Sequence, residues 1–595
     1  MHEDILLKVN KPAQYIGGEV NCAKKDFTAA KIKFAISFPD LYEVGMSNLG
    51  LKIIYGLLNT IPDVVCERFF SPNQDMEELL RLESRQILSL ESHRKLSEFD
   101  MVGFSLGSEL DYTNVLNILE LGGIPLKSAL RDCTYPLIIG GGPCTLNPEP
   151  MHDFFDFFVI GEAEDVALEI INLYRKYKEE FKSAKIDKQE LLFKFAQIEG
   201  VYVPSLYEVS YDKGMAIKEF KPKLEGLPLK IKKRFVKDLN LSYYPLDWLI
   251  PHIQIIHDRV TVEIMRGCPN RCRFCQARAQ YFPLRLKDAE QVLNLAGQLY
   301  RRTGYEEVSL AGLSVSDHPQ MEKILQGLMS LFDAKGVSLS LPSIKARSLV
   351  GDASTLIAKV KKTGLTFAPE AGSQRLREIL QKDFKSEEFF GALEQAYLSG
   401  YQHVKLYFMI GLPDEKEEDL DAIIDFSLKV SELRKKTGHP AAGVNISINT
   451  LIPKPHTPLQ WLPMLDSDRL KIKQEYLREK AKRHKRLKLS FHNRSMSILE
   501  GILSRGDRRL SEVILTAFKN GAKFDAWSNY FSFDKWMQAF ANSGIDPQFY
   551  LAQKEIKDPL PWDFIDTGVD REALIIEFNK TIAIQGDKRY NLENV

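Results

Sequence analysis

Nothing in the bulk composition singles out a partner. The 595 residues carry 80 basic and 80 acidic side chains, for a formal net charge of zero. Overall charge therefore argues for neither nucleic acid, membrane nor acidic ligand, and any such preference must be local. No run of 18 apolar residues occurs, which leaves no candidate for a membrane-spanning helix and predicts no membrane partner. The first residues, Met1 to Lys8, lack the basic stretch, apolar core and small-residue cleavage site of a secretory signal, so a cytoplasmic location is expected. Cysteine is scarce at seven residues, and Cys22, Cys66, Cys133 and Cys144 are dispersed as ordinary thiols would be. The other three stand together in Arg266-Gly267-Cys268-Pro269-Asn270-Arg271-Cys272-Arg273-Phe274-Cys275.

Three thiolates on so tight a loop are one ligand short of the four that a [4Fe–4S] cluster normally takes, which leaves one iron open. An open position is what separates catalytic from closed structural metal sites. Zinc is the alternative; it would favour C-x2-C pairs and need a distant fourth ligand such as His252, His257 or His318. The spacing C-x3-C-x2-C, with Phe274 just before the last cysteine, resembles the signature of the radical S-adenosylmethionine (radical SAM) enzymes. The resemblance implies that Cys268, Cys272 and Cys275 ligate a [4Fe–4S] cluster whose fourth iron is chelated by S-adenosylmethionine (SAM), with Phe274 beside that cofactor. It also implies reductive cleavage of SAM, a reductase or flavodoxin-type electron donor, and an unknown substrate. Free cysteines around an oxygen-sensitive cluster fit a reducing compartment.

Hydrophobic content of 44% over this length predicts several cores. Strands are expected at Ile32–Phe38, Met101–Leu106, Pro136–Gly142 and Phe155–Gly161, with helices over Ser47–Leu58 and Asp111–Leu121 between them. Alternating strands and helices predict a doubly wound parallel sheet over residues 1–225, whose ligand site would lie beyond the strands' carboxyl ends. Those ends carry Ser105-Leu106-Gly107-Ser108, Gly140-Gly141-Gly142 and Gly161-Glu162. The pattern Pro136 to Gly142, then Asn147-Pro148-Glu149-Pro150, then Asp156 to Glu164 resembles the Rossmann-like cobalamin-binding domain that precedes many radical SAM domains. That resemblance makes Ser105, Gly140, Gly141, Gly142, Gly161 and Glu162 candidate cobalamin contacts. The usual cobalt-ligating histidine is replaced by Tyr42, and an inherited scaffold that binds nothing remains the alternative. Residues 226–257, with basic Lys230-Ile231-Lys232-Lys233-Arg234 and several prolines, read as a linker.

Over residues 258–465 the expected strands are 259–265, 307–310, 338–341, 365–368, 403–410 and 444–451. Six strands with crossover helices fit the partial (βα)6 barrel of the resembled family, with functional side chains at strand carboxyl ends. Ser309-Leu310-Ala311-Gly312-Leu313-Ser314 corresponds to the segment that receives the methionine amino group, making Ala311, Gly312 and Ser314 candidates. In Phe367-Ala368-Pro369-Glu370-Ala371-Gly372-Ser373-Gln374-Arg375, Glu370 is the candidate for an amino or ribose hydrogen bond and Arg375 for the SAM carboxylate, which a planar guanidinium suits. Phe408 to Glu415 resembles the segment that packs on adenine, with Gly411 and Pro413 as candidates. Pro453-Lys454-Pro455-His456-Thr457-Pro458 is similar to a stretch in cobalamin-type radical SAM proteins and methylthiotransferases. It either sets Lys454, His456 and Trp461 near a substrate or is a structural strap.

A mainly helical C-terminal region, 466–595, is expected as a substrate or partner domain. Its first helix is dense in lysine and arginine, which predicts either RNA phosphate contacts or a solvated face over buried Leu470 and Leu477. The readings that stay open are cobalamin-assisted methyl transfer, RNA or protein modification without cobalamin in the manner of methylthiotransferases, and a non-catalytic RNA- or ribosome-associated iron–sulfur protein.

Overall fold

The computed structural model describes residues 3–212, 216–340 and 365–585. Two compact units share the chain discontinuously. The chain up to Asp258 joins Ile502–Tyr550 and Lys557–Gly568 in the first; Arg259–Gly501, Leu551–Ile556 and the residues from Val569 on make the second.

In the first unit, strands β1 (Ile32–Phe38), β2 (Val64–Phe70), β3 (Met101–Ser105), β4 (Leu137–Gly141), β5 (Phe157–Val159) and β6 (Val201–Tyr202) form one sheet in the order β2-β1-β3-β4-β5-β6. All pairings are parallel except that of β6, which runs antiparallel along the edge. The order reverses between β1 and β3, as expected of a doubly wound sheet. Unbroken burial from Phe34 to Phe38 marks a strand covered on both faces. After β1 and a short helix at Tyr42–Gly45, the helix Leu49–Thr60 begins where the Asn48 side chain caps it by accepting from the Leu51 amide at 2.9 Å.

The strand β2 is absent from the sequence reading because Glu67 and Arg68 interrupt its apolar run. Both are nonetheless buried. Arg68 pairs with Glu19 at 2.7 Å and Glu91 at 2.6 Å, and Glu67 accepts from the Ser92 hydroxyl at 2.6 Å. Partners that distant in sequence leave no periodic trace.

The domain reading differs from the structure in two places. Residues 226–257 are built into the first unit rather than linking two others: Ile231–Lys232 pairs with Ile565–Asp566, Arg234 bridges to Gly161, and Trp248 is buried. Nor do residues 466–595 stand as one module. The helix Leu510–Lys519 packs on the helix Tyr112–Leu121 of the first unit, whereas Ser467–Phe491 extends the second.

The second unit contains β7 (Val260–Glu263), β8 (Glu307–Ala311) and β9 (Ser338–Ser340) in one parallel sheet. Strands β10 (Leu365–Glu370), β11 (His403–Ile410), β12 (Gly443–Thr450) and β13 (Leu487–Phe491) form another. All six expected strands are present, although Leu341 lies outside the described residues, and β13 adds a seventh. The basic helix Ser467–Lys482 buries Leu470, Leu477 and Ala481. Several of its cations are paired, Lys473 with Glu415 at 2.8 Å and Lys480 with Asp421 at 2.9 Å, so one face serves the core and the rest is partly neutralised.

Burial has an electrostatic consequence in the first unit. Asp525 is fully buried, accepting from Thr113 Oγ1 at 2.8 Å and Trp536 Nε1 at 3.1 Å. Burial pushes its carboxyl up to about 6 against those hydrogen bonds and the nearby Lys535. Burial also raises Asp111, reinforced by Asp40, Glu109 and Asp525. The unfolded chain releases the Asp525 proton near about 3.9, so it binds fewer protons between the two values and stability falls as pH rises from about 4 through about 6. Asp525→Asn is expected to gain on the order of 2–3 kcal/mol relative to wild type between about pH 4 and about pH 7, measured by denaturant titration at both. An unchanged difference would mean that Asp525 is already ionised at the acidic end.

Candidate functional site

The strand β7 delivers the cysteine loop, after Met265–Arg266 has paired antiparallel with Arg285–Leu286. At Gly267 φ is +88°, and a Cβ there would lie 2.8 Å from the Tyr281 carbonyl oxygen and from Leu284 Cα. Only glycine lets the loop fold so tightly onto the residues that follow it. Cys268, Cys272 and Cys275 are free and half-buried. Burial pushes the Cys272 thiol up to about 11, with Lys382 opposing and Cys275, Cys268 and Glu370 adding to the rise. Burial also raises Cys275, offset by backbone N–H groups of Ala277 and Arg278 that donate to its sulfur. The thiols thus act on one another across a common space.

Asn270 and Arg273, which the sequence reading passed over, hold this loop. Asn270 Nδ2 donates to Cys268 Sγ at 3.2 Å, Asp317 Oδ2 at 3.1 Å and Ser314 Oγ at 3.4 Å, joining the loop to the carboxyl end of β8. Arg273 donates to Glu577 at 3.1 Å and to the Ile379 carbonyl at 2.8 Å, while its backbone N–H reaches the Leu380 carbonyl at 3.0 Å. Asn270 stands inside the cysteine motif, yet no spacing rule distinguishes it. Asn270→Leu is expected to lower iron retention about 10-fold or more, as loss of an outer-shell partner does, checked by iron content after desalting.

Glu370 ends β10 at φ +69°, after a register shift from Phe367. It pairs with Lys382 at 3.3 Å, and burial raises its carboxyl despite that cation. Both charges act on Cys272, so Glu370 is brought to the cysteine loop. Arg375 is engaged elsewhere: its guanidinium holds Asp414 Oδ2 at 2.6 Å, the Asp414 carbonyl at 2.8 Å, and Asp419. It braces the turn after β11 rather than facing a free carboxylate. In that turn the Gly411 amide donates to Glu415 at 3.0 Å, and Pro413 is half-buried. Ala311 ends β8 opposite Glu263. Beside it, the room left by Gly312 is taken by Met265, whose Cγ would be 2.5 Å from an added Cβ. Ser314 donates to Asp317 at 2.6 Å, and Phe274 is half-buried.

The strap approaches the same loop, since Gln276 Nε2 donates to the Pro455 carbonyl at 3.3 Å. Lys454 pairs with Glu500 at 2.8 Å, and Trp461 is buried against Phe578, so the tryptophan is structural. Two of the three histidines named for the zinc alternative are engaged: His318 uses both ring nitrogens, on the Lys287 carbonyl and the Gln320 amide, and His252 contacts the Gly17 carbonyl. Among the described residues no three of His, Cys, Asp or Glu are grouped around a single-ion site. A cubane does not require that, because each thiolate holds its own iron. Soft sulfur donors carrying N–H···S bonds suit such a cluster.

The candidate cobalamin residues all belong to the first unit. Ser105 and Gly141 close β3 and β4 side by side. A Cβ at Gly140 would stand 2.5 Å from the Phe158 ring, at Gly142 2.8 Å from the Leu106 carbonyl oxygen, and at Gly161 2.1 Å from the Arg234 carbonyl oxygen. Glu162 accepts from the Val236 amide at 2.7 Å. At Gly140, Gly142 and Gly161 the room is taken by the chain's own atoms, so these three positions do not fit a cobalamin cradle. Gly161→Ala, at φ +105°, is expected to destabilise the first unit by roughly 2–4 kcal/mol, measured by denaturant unfolding.

Parallel α/β sheets with a three-cysteine loop at a strand's carboxyl end define a class of cofactor-dependent enzymes. The family described as radical SAM proteins, N-terminal, matches residues 50–204, and that described as the radical SAM superfamily matches residues 262–427. An uncharacterized protein of Methanocaldococcus jannaschii is 30% identical over 86% of this chain and 97% of its own. The chain belongs to the radical SAM superfamily and is a radical SAM enzyme; membership implies a [4Fe–4S] cluster and SAM. A ribosomal protein uS12 methylthiotransferase of Pelotomaculum thermopropionicum is 27% identical over 28% of this chain and 39% of its own. The cobalamin-dependent SAM radical enzyme OxsB is 14% identical, with a TM-score of 0.46 over 93% of this chain and 80% of that one, a likeness too loose to carry an argument. Among the described residues no helix is long and apolar enough to cross a membrane.

Proposed function

We propose that Cys268, Cys272 and Cys275 hold a [4Fe–4S] cluster through three of its irons, and that SAM lies at the neighbouring strand ends, with Phe274, Ala311 to Ser314, Glu370 and Gly411 to Pro413 around it. The observation that carries this reading is the convergence of three mutually acting thiols, the Asn270 link to Ser314, and the Glu370–Lys382 pair beside Cys272. Bound there, the cluster would supply the single electron that breaks a carbon–sulfur bond of SAM and yields a radical able to take hydrogen from an unreactive carbon. The chain's own part is to hold and tune. Asn270 and the amides of Ala277 and Arg278 place N–H groups on two sulfurs, which stabilises their negative charge. Glu370, whose carboxyl burial raises despite Lys382, offers a hydrogen-bonding partner to a ribose or amino group. Arg375, through Asp414 and Asp419, fixes the Gly411–Pro413 turn.

A protein donor of single electrons, reductase or flavodoxin-type, would serve the cluster. The relatives that match over part of the chain include methylthiotransferases, which supports transfer of a small group onto an unreactive carbon of a substrate not yet assigned. The test is anaerobic: reconstituted, reduced protein is given SAM, and 5′-deoxyadenosine is measured with and without cell extract. Formation is expected; its absence under both conditions would overturn the reading.

A further inference from the structure

In a doubly wound sheet the ligand crevice opens where strand order reverses, here at the carboxyl ends of β1 and β3. A cofactor as large as cobalamin needs that crevice clear. Pro39 and Asp40 leave β1, and both are already engaged. Asn114 Nδ2 donates to the Pro39 carbonyl at 2.8 Å, and the Trp527 indole N–H donates to Asp40 at 2.8 Å. Asn114 in turn accepts from the Phe524 amide at 2.8 Å, while Thr113 donates to Asp525. Residues 524–527 are therefore laid on the first turn of the helix that follows β3. Asp40, Thr113, Asn114, Phe524 and Asp525 are all buried.

The same segment continues past β4. Asn147 Nδ2 donates to the carbonyls of Ser504 and Gly506 at 3.0 and 2.8 Å. Arg508 reaches Glu149 and the Tyr202 hydroxyl, both at 2.7 Å, and Ser511 donates to the Pro150 carbonyl at 2.9 Å. Within the sheet, the space beside Gly140 holds the rings of Phe158 and Phe155, and Phe104 packs edge-on to Phe155. Tyr42, at the position of the usual cobalt-ligating histidine, is buried with its hydroxyl donating to Glu19 at 2.9 Å.

We propose that the switch-point crevice of the N-terminal domain is occupied by residues 524–527 of the same chain, with residues 504–511 covering the adjoining end past β4, so that this domain receives its own C-terminal segment and takes no cobalamin. A cobalamin entering at the switch point would break buried hydrogen bonds, taking the Phe524 amide from Asn114, the Trp527 indole from Asp40 and the Ser504 and Gly506 carbonyls from Asn147, each at a cost in desolvation. The inference stands apart from SAM cleavage, because its readouts involve neither iron nor SAM.

The full-length protein is incubated with aquacobalamin and desalted, cobalt is measured, and amide hydrogen exchange is followed over residues 522–527 with and without the cofactor. Cobalt far below stoichiometric is expected, with the Phe524 amide strongly protected and unchanged by cobalamin. Stoichiometric cobalt would overturn the proposal, whether the segment is displaced or not. Rapid exchange at Phe524 in the cofactor-free protein would overturn it as well, because the segment would then not be docked.

Discussion

A chain carrying Cys272→Ser is expected to retain no more than background iron after reconstitution and to form 5′-deoxyadenosine more than about 100-fold more slowly than wild type. Cys272 is the thiol on which the charges of Cys268, Cys275, Lys382 and Glu370 all bear. Serine in its place keeps the volume but supplies a hard, weakly acidic oxygen where soft iron–sulfur chemistry needs a thiolate. Two remaining sulfurs cannot fix a cubane while its fourth iron is held open. Cys133→Ser, at a half-buried thiol of the first unit, is the control and should leave iron content and turnover unchanged. Equal iron in the Cys272→Ser and wild-type proteins, with circular dichroism unaltered, would remove the cysteine loop from the chemistry.

The largest effect on stability is expected at Arg68. Its side chain is 0% exposed, between Glu19 at 1% and Glu91 at 6%, and Tyr42 completes the group through Glu19. Arg68→Leu leaves two carboxylates buried side by side with no cation, which costs about 3–5 kcal/mol and lowers the melting temperature by roughly 10 °C. Changing all three to apolar residues of similar volume removes the charges together and should recover most of that loss. A single Arg68→Leu chain that melts with wild type would mean that water reaches the cluster.

Much of this architecture was legible in the sequence where burial coincides with simple patterns. Ile32–Phe38 and His403–Ile410 are near-continuous apolar strands, and the cysteine spacing states its own chemistry. The strand Val64–Phe70 was not legible, because its central Glu67 and Arg68 look like surface charges until Glu19, Glu91 and Ser92 come together around them. At the candidate site, Lys382 follows Glu370 by twelve residues and matches no motif. Arg375 fits a carboxylate clamp by residue type, and only folding reveals that Asp414 and Asp419 already hold it. The glycines at 140, 142 and 161 say that something approaches closely without saying whether it is a ligand or the chain itself. Nor does periodicity report that a helix near residue 510 covers one near residue 115.

The discontinuous first unit has a consequence for how the protein is made. Its sheet is complete once Tyr202 has left the ribosome, yet the partners of Asp40, Asn114, Asn147 and Glu149 lie between Ser504 and Trp527, and the pairing strand of Ile231–Lys232 comes at Ile565–Asp566. At about 5–20 residues per second, the polar ends of those strands wait tens of seconds for the atoms that will cover them. Through that interval the nascent sheet needs a chaperone or its own buried charges to stay unaggregated, and a message truncated before the codon for Ser504 would release the sheet without the segment that covers those strand ends.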